Sequence, residues 1–121
     1  MNIETLAQEI KNIAIEIVEK ESNIYENEKD IADCKKAVEN IKLSLEKNVL
    51  FNPDFKNEGQ RKNALSELIA EDEDIQWNIK EIETKENHIK EVEFEIKTLK
   101  IEKTFKETLL KLEFIKLEKG V

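Results

Sequence analysis

The chain is poor in the residues that interrupt regular secondary structure. Its 121 residues include one proline, Pro53, and two glycines, Gly59 and Gly120. Proline and glycine are the strongest local signals for the end of a helix. Their scarcity favours long helices, and the stretch FNPDFKNEGQ, residues 51–60, which holds Pro53 and Gly59, is where we predict the one break.

Cysteine and long apolar runs are also scarce. Cys34 is the single cysteine, so no internal disulfide is possible, and the chain is compatible with a reducing compartment. No apolar run approaches the roughly 18 residues of a membrane span. Glu4 and Glu9 interrupt any signal-peptide pattern. We therefore expect a cytoplasmic protein that does not contact a membrane.

Charge is abundant where aromatic residues are few. Charged residues make up 40% of the chain and aromatic residues 6%. Such a composition is typical of long or coiled-coil helices, and it disfavours a compact core. Disorder is the alternative for a charge-rich chain, but the apolar residues here are periodic. The net charge of −8 makes nucleic acid an unlikely partner, although residues 97–119 are locally basic.

The N-terminal half carries a regular apolar repeat. Every seventh residue from Ile3 is aliphatic, and a second set follows three residues later. The first set is Ile3, Ile10, Ile17, Ile24, Ile31, Val38 and Leu45, and the second is Leu6, Ile13, Lys20, Asn27, Cys34, Ile41 and Asn48. This heptad pattern predicts a coiled-coil helix over 3–48. We expect Lys20 to extend its ammonium to water, whereas Asn27 is either passive or fixes the register of the pairing.

The break is predicted to be a turn over 49–59. Pro53 cannot donate a helical hydrogen bond, and Asn57 followed by Gln60 resembles a capping box. Residues 49–51 and Phe55 are expected to close this end of the protein. The alternative is that Phe51 and Phe55 form an exposed docking tip.

A second helix is predicted over 60–118, antiparallel to the first. One apolar stripe can pair with the first helix: Leu65, Leu68, Ile75, Ile79, Ile82, Ile89, Val92, Ile96, Leu99, Leu110 and Leu117. The predicted fold is therefore all-α, a long antiparallel two-helix coiled-coil hairpin forming a single domain over 1–121.

A second apolar stripe marks the C-terminal half of the second helix. Its members are Phe94, Ile101, Phe105, Leu112 and Ile115, at intervals of 7, 4, 7 and 3. The first four lie within a sector of about 40°, roughly opposite Ile96 and Leu99. A helix with one neighbour has no reason to be apolar on two sides.

The predicted helix lengths also indicate that the C-terminal half of the second helix packs against a second neighbour. The second helix would exceed the first by about 20 Å at 1.5 Å per residue, and Leu109 belongs to the apolar cluster at its end. We therefore predict that the chain associates with itself, most simply as a two-fold, helical-bundle dimer.

No catalytic, metal or cofactor site is predicted. The one histidine, His88, is on the polar side of the second helix. Glu86 and Glu93 occupy seam positions but lack the Glu-x-x-His spacing of a carboxylate-bridged metal centre. There is no phosphate loop and no Cys/His cluster. Trp77 is a candidate contact for a partner because tryptophan is enriched at binding hot spots.

The segment FKNEGQRKNAL, residues 55–65, resembles small helical proteins encoded by phages and prophages of low-GC bacteria. The shared pattern is N-E-x-x-R-x-x-x-L, here Asn57, Glu58, Arg61 and Leu65. The resemblance implies a bacterial host cytosol and no established activity. It also singles out Arg61, which we expect to stabilise the turn by bonding loop carbonyls, alongside the capping residues Asn57 and Gln60.

These observations favour a non-enzymatic protein that associates with itself and binds a host or phage protein, for instance as an acidic inhibitor of a DNA-processing enzyme. Two alternatives remain open. One is an accessory factor of phage recombination or replication that uses the Lys-rich end. The other is a tether or chaperone similar to prefoldin, although ten residues cannot supply the β-hairpins that prefoldin subunits insert between their helices.

Overall fold

The computed structural model describes residues 2–120, and nearly all of them are helical. Helix α1 is Ile3–Leu50, α2 is Glu58–Glu71 and α3 is Glu73–Glu118. No strand occurs within these residues. The predicted all-α class is confirmed.

The predicted second helix is in fact two helices, separated at Asp72. This residue has an extended backbone, with φ −69° and ψ 116°, and its Oδ1 accepts a hydrogen bond of 2.9 Å from the amide of Ile75. Asp72 therefore caps the N-terminus of α3, as aspartate commonly does. The sequence prediction of one helix over 60–118 missed this break because neither glycine nor proline marks it.

Helix α1 follows its heptad pattern closely. It ends two residues beyond the predicted 3–48, at Leu50. Of the fourteen predicted seam positions, all but Asn48 are buried or half-buried. At the C-terminal end the buried position moves to Val49, one residue past Asn48.

The chain divides into two compact units. The terminal unit contains the described residues up to Glu26 and those from His88 onward, and the central unit is Asn27–Asn87. The single domain over 1–121 stays a prediction, and its end residues, 1 and 121, lie outside the described part of the chain.

The terminal unit pairs the start of α1 with the end of α3. Its core is a cluster of Ile13, Ile17, Val92 and Ile96, against which two half-buried aliphatic residues pack, Ile24 and Leu99. Two ion pairs cross between the helices: Glu9 with Lys106 at 2.8 Å, and Lys20 with Glu95 at 2.6 Å. Residue numbers rise in α1 as they fall in α3, so the two segments are antiparallel here.

The excess length predicted for the C-terminal helix is much reduced. Helix α1 has 48 residues and α3 has 46, since the break at Asp72 assigns 14 residues to α2. With Lys106 level with Glu9, residues 113–118 extend past the level of Ile3 by roughly 9 Å. The overhang of about 20 Å predicted at this end is therefore too large by about half.

The central unit buries only some of the residues predicted for the stripe near the break. Ile75 is fully buried, and Asn78 is also buried, with its Nδ2 donating to the carbonyl of Asp74 at 2.8 Å. Leu68 and Ile79, which were predicted to lie in the stripe, are exposed. The break at Asp72 resets the helical phase, so a stripe drawn across it as one continuous helix is displaced.

Candidate interaction surface

The second apolar stripe of α3 is uncovered. Phe94, Ile101 and Phe105 are 71%, 68% and 64% exposed, and Leu112 and Ile115 are also exposed. All five lie in the terminal unit. The structure therefore places these predicted residues together on one side of α3, where no segment within residues 2–120 packs over them.

Two threonines complete the repeat of this stripe. With Thr98 and Thr108 the spacing becomes 4-3-4-3-4-3 across 22 residues, a heptad pattern of just over three repeats. We call this set the outer seam: Phe94, Thr98, Ile101, Phe105, Thr108, Leu112 and Ile115. Sequence reasoning missed both threonines because it counted apolar residues alone.

The threonine hydroxyls are already satisfied within α3. Thr98 donates to the carbonyl of Phe94 at 3.1 Å, and Thr108 donates to that of Thr104 at 3.1 Å. Thr104, which borders the seam, donates to the carbonyl of Lys100 at 3.0 Å. A hydroxyl bonded to its own helix needs no new partner when it is covered, so the outer seam can be buried at little polar cost.

The outer seam lies on the side of α3 away from α1. On the opposite side of α3, Ile96 is buried. Lys103 and Leu110, which follow at intervals of seven residues, are half-buried on that same side. Leu109, predicted to belong to the same surface, is half-buried and borders the seam without being one of its repeat positions.

Ion pairs neutralise three of the seven lysines between Lys97 and Lys119. Lys106 contacts Glu9 at 2.8 Å and Glu102 at 3.6 Å, and its hydrogen bond to Glu9 raises the pKa of Lys106 above the usual 10.5. Lys103 contacts Glu107 at 3.2 Å. These contacts leave fewer free cations for a phosphate backbone than the sequence indicates.

A shallow polar groove of about 340 Å³ lies between the helices of the terminal unit. The Nε2 of His88 is 3.0 Å from the Oδ1 of Asn23. The neighbouring Lys20 donates a hydrogen bond to Glu95, which raises the pKa of Lys20. Within residues 2–120 no three His, Cys, Asp or Glu side chains come together as a metal site would require.

The carboxylates considered for a metal centre do not face inward. Glu86 and Glu93 are both exposed. The seam assignment that placed them inward is wrong, because the buried positions of α3 near them are Ile89 and Val92.

The end of α1 and its connection to α2 are partly buried and partly exposed. Val49 is buried and Phe55 is half-buried, as expected for residues that close an end. Leu50 is exposed, and Phe51, at 79%, is the most exposed of the large apolar side chains described. The closing role is thus consistent with Val49 and Phe55, whereas of the two aromatic residues named for a docking tip only Phe51 is exposed, and its docking role stays a prediction.

The three residues predicted to stabilise the turn have different surroundings. The Oδ1 of Asn57 accepts from the amide of Gln60 at 2.9 Å, and the Oε1 of Gln60 accepts from the amide of Lys56 at 2.8 Å. The Nε of Arg61 is buried with no hydrogen-bond partner among the described residues. A bond from its Nε to a loop carbonyl, which would pin the turn, is therefore not made.

Other exposed apolar residues lie on α1 and near the start of α3. Ile15, Val18 and Tyr25 are exposed on α1, and Trp77 is 60% exposed on α3. Sequence reasoning identified Trp77 but missed the α1 set, because those residues lie outside its heptad positions.

In the described part of the chain no helix is both long and apolar enough to cross a lipid bilayer. Comparisons with protein-family models, with curated proteins and with solved structures each find no match to this chain.

Proposed function

We propose that this chain is a non-enzymatic, antiparallel helical hairpin that associates with itself through the outer seam and acts by binding another protein. The proposal rests on the outer seam, which is just over three heptad repeats long. The seam is exposed on the side of α3 opposite the side that packs against α1. Exposed apolar patches of this kind mark interaction sites.

The length and chemistry of the outer seam suit a helical partner. It extends over 22 residues, roughly 33 Å of helix, and its threonine hydroxyls are bonded internally. A sustained heptad repeat favours a helix as the covering element because side chains of one helix fit between those of the other. A second copy of the chain supplies an identical helix, so each copy can cover the outer seam of the other.

Light scattering on charge variants tests the self-association. We expect wild-type protein to have twice the chain mass of 14.2 kDa, and Phe105→Glu/Leu112→Glu to have the mass of one chain. Each dimer would have to bury four added carboxylates without partners, which is strongly unfavourable. Circular dichroism checks that the variant remains helical.

The matched control places the same charges on an exposed apolar pair of α1 in the terminal unit. Val18 and Tyr25 are 65% and 67% exposed, so Val18→Glu/Tyr25→Glu adds the same charge at similar exposure. We expect this control to keep the dimer mass. Dissociation by the control variant alone would assign the interface to α1 and overturn the proposal.

We further propose that the binding partner is a host or phage protein in the cytosol of a bacterial host. The net charge of −8 supports a basic surface on that partner, such as the nucleic-acid groove of a DNA-processing enzyme. The phage origin is supported by the N-E-x-x-R-x-x-x-L resemblance.

Two exposed aromatic residues in the central unit are the proposed contacts for that partner. Phe51 and Trp77 are the most exposed aromatic side chains of this unit. We expect a protein captured from host lysate by wild type at low salt to be lost with Phe51→Ser/Trp77→Ser and retained with Phe105→Glu. A captured protein that is indifferent to Phe51 and Trp77 would contradict this assignment.

The alternatives receive less support. Lys103, Lys106 and Lys116 each contact a carboxylate, which weakens the case for a nucleic-acid accessory factor. The connection between α1 and α2 has seven residues and no strand, whereas prefoldin subunits insert β-hairpins between their helices.

A further inference from the structure

The charged rows that border the outer seam change sign along their length. One row contains Glu95 and Glu102, then Leu109, and ends in Lys116. The other contains Lys97, Thr104 and Lys111, and ends in Glu118. One row thus runs from acidic to basic and the other from basic to acidic.

We infer that the second copy of α3 packs antiparallel on the outer seam, in one register. This inference rests on the self-association proposed above. In antiparallel heptad pairs, each bordering row faces the same row of its partner. A row that reverses sign is then complementary to itself, and this is the arrangement found on both sides of the seam.

The charges select a particular alignment. In the inferred register, Ile101 lies opposite the partner's Leu112, and Phe105 lies opposite the partner's Thr108. Glu95 then faces the partner's Lys116. On the other side of the seam, Lys97 faces the partner's Glu118. The two-fold axis repeats both pairs, giving four opposite-charge contacts and no like-charge contact. Glu95 and Lys116 also contact Lys20 and Glu113 of their own chain, so the pair of Lys97 with Glu118 discriminates most between alignments. Opposite charges that face each other across an interface fix its register.

Other alignments that keep two heptads of the seam in contact are less complementary. An antiparallel alignment with Ile101 opposite the partner's Phe105 places Lys97 against the partner's Lys111 and brings the two Glu102 side chains together. A parallel alignment pairs Lys97 with the partner's Glu102. It also places Lys111 against the partner's Lys116.

A charge-swap cycle at Lys97 and Glu118 tests the register. Neither residue forms an ion pair within the described part of the chain, so its substitution leaves the described intrachain ion pairs unchanged. Because each single reversal creates two like-charge contacts per dimer, we expect Lys97→Glu and Glu118→Lys each to weaken dimerisation about tenfold at low salt. The double variant restores opposite charges and should return the dissociation constant to within about threefold of wild type.

Each competing alignment gives a different result in sedimentation equilibrium. In the parallel alignment Glu118→Lys changes nothing and does not rescue Lys97→Glu. In the other antiparallel alignment Lys97→Glu strengthens the dimer by removing a contact between lysines. Either pattern overturns the register while leaving self-association intact, whereas a monomeric wild type overturns both.

Disulfide trapping gives an independent geometric readout. In a Cys34→Ser background, the inferred register places Thr98 opposite the partner's Ile115. A mixture of the Thr98→Cys and Ile115→Cys chains should therefore form the mixed disulfide on mild oxidation. Disulfides between two Thr98→Cys chains would instead indicate a parallel pair and contradict the inference.

Discussion

At the scale of single residues, local contacts decide which of several similar side chains carries stability. Ile75 and Ile79 are the same residue type, four positions apart on α3, and both were predicted to lie in the packed stripe. Ile75 is fully buried, whereas Ile79 is 46% exposed, and Asn78 occupies the buried position between them. Asn78 is tolerated there because its amide donates to the carbonyl of Asp74.

Truncation of these two isoleucines should therefore have unequal effects. We expect Ile75→Ala to lower the free energy of unfolding by about 3 kcal/mol, since a fully buried aliphatic side chain leaves a cavity. Ile79→Ala should cost about 1 kcal/mol or less. Urea unfolding followed by circular dichroism measures both, and equal losses would mean that Ile79 is packed as the sequence pattern predicts.

The sequence predicts buried residues well where one helix runs without interruption. In α1, a repeat of seven assigned thirteen of fourteen positions correctly, because a single helix keeps its phase. Lys20 was also interpreted usefully: its stem lies in the seam and its ammonium reaches the surface, where it meets Glu95. The exposed set at Ile15, Val18 and Tyr25 was missed because it has no repeat strong enough to be noticed.

At the scale of helices, one hydrogen-bonded cap divides what the sequence presents as a continuous element. Asp72 lies within the run Glu71 to Asp74, which by composition alone is a solvated acidic face. Its carboxylate accepts the amide of Ile75, and Glu73 and Asp74 follow in the first turn of α3, where negative charge favours a helix N-terminus. Acidic residues suit a helix surface and a helix start equally well, so only the three-dimensional packing decides between them.

The sign of one stability change distinguishes the two descriptions. If Asp72 is a cap, Asp72→Ala should destabilise the protein by about 1 kcal/mol. If residues 60–118 formed one helix, the same change would stabilise it, because alanine has the higher helix propensity. Urea unfolding provides the measurement, and Glu71→Ala, at the end of α2, is the control that should change stability little.

At the scale of the whole molecule, the most important feature is the outer seam, an apolar surface that the described residues of the chain leave exposed. The sequence placed the apolar members of the outer seam together because they share a helical phase distinct from that of the packed stripe, and the structure leaves them exposed; their role as an interface stays a prediction. Its second argument, an overhang of about 20 Å, is reduced to roughly 9 Å, because Lys106 lies level with Glu9 and few residues of α3 therefore extend past Ile3. Thr98 and Thr108 give new support for self-association. They complete the exposed heptad repeat, and their hydroxyls are already hydrogen-bonded within α3.

The central claim is that the outer seam is covered by a second copy of the chain. Sedimentation equilibrium of the wild-type protein from low to high micromolar concentration tests it most directly. We predict a mass approaching twice 14.2 kDa as concentration rises, and a return to one chain mass when Phe105 and Leu112 are both replaced by glutamate. A mass of one chain for the wild type across the whole concentration range would contradict the account.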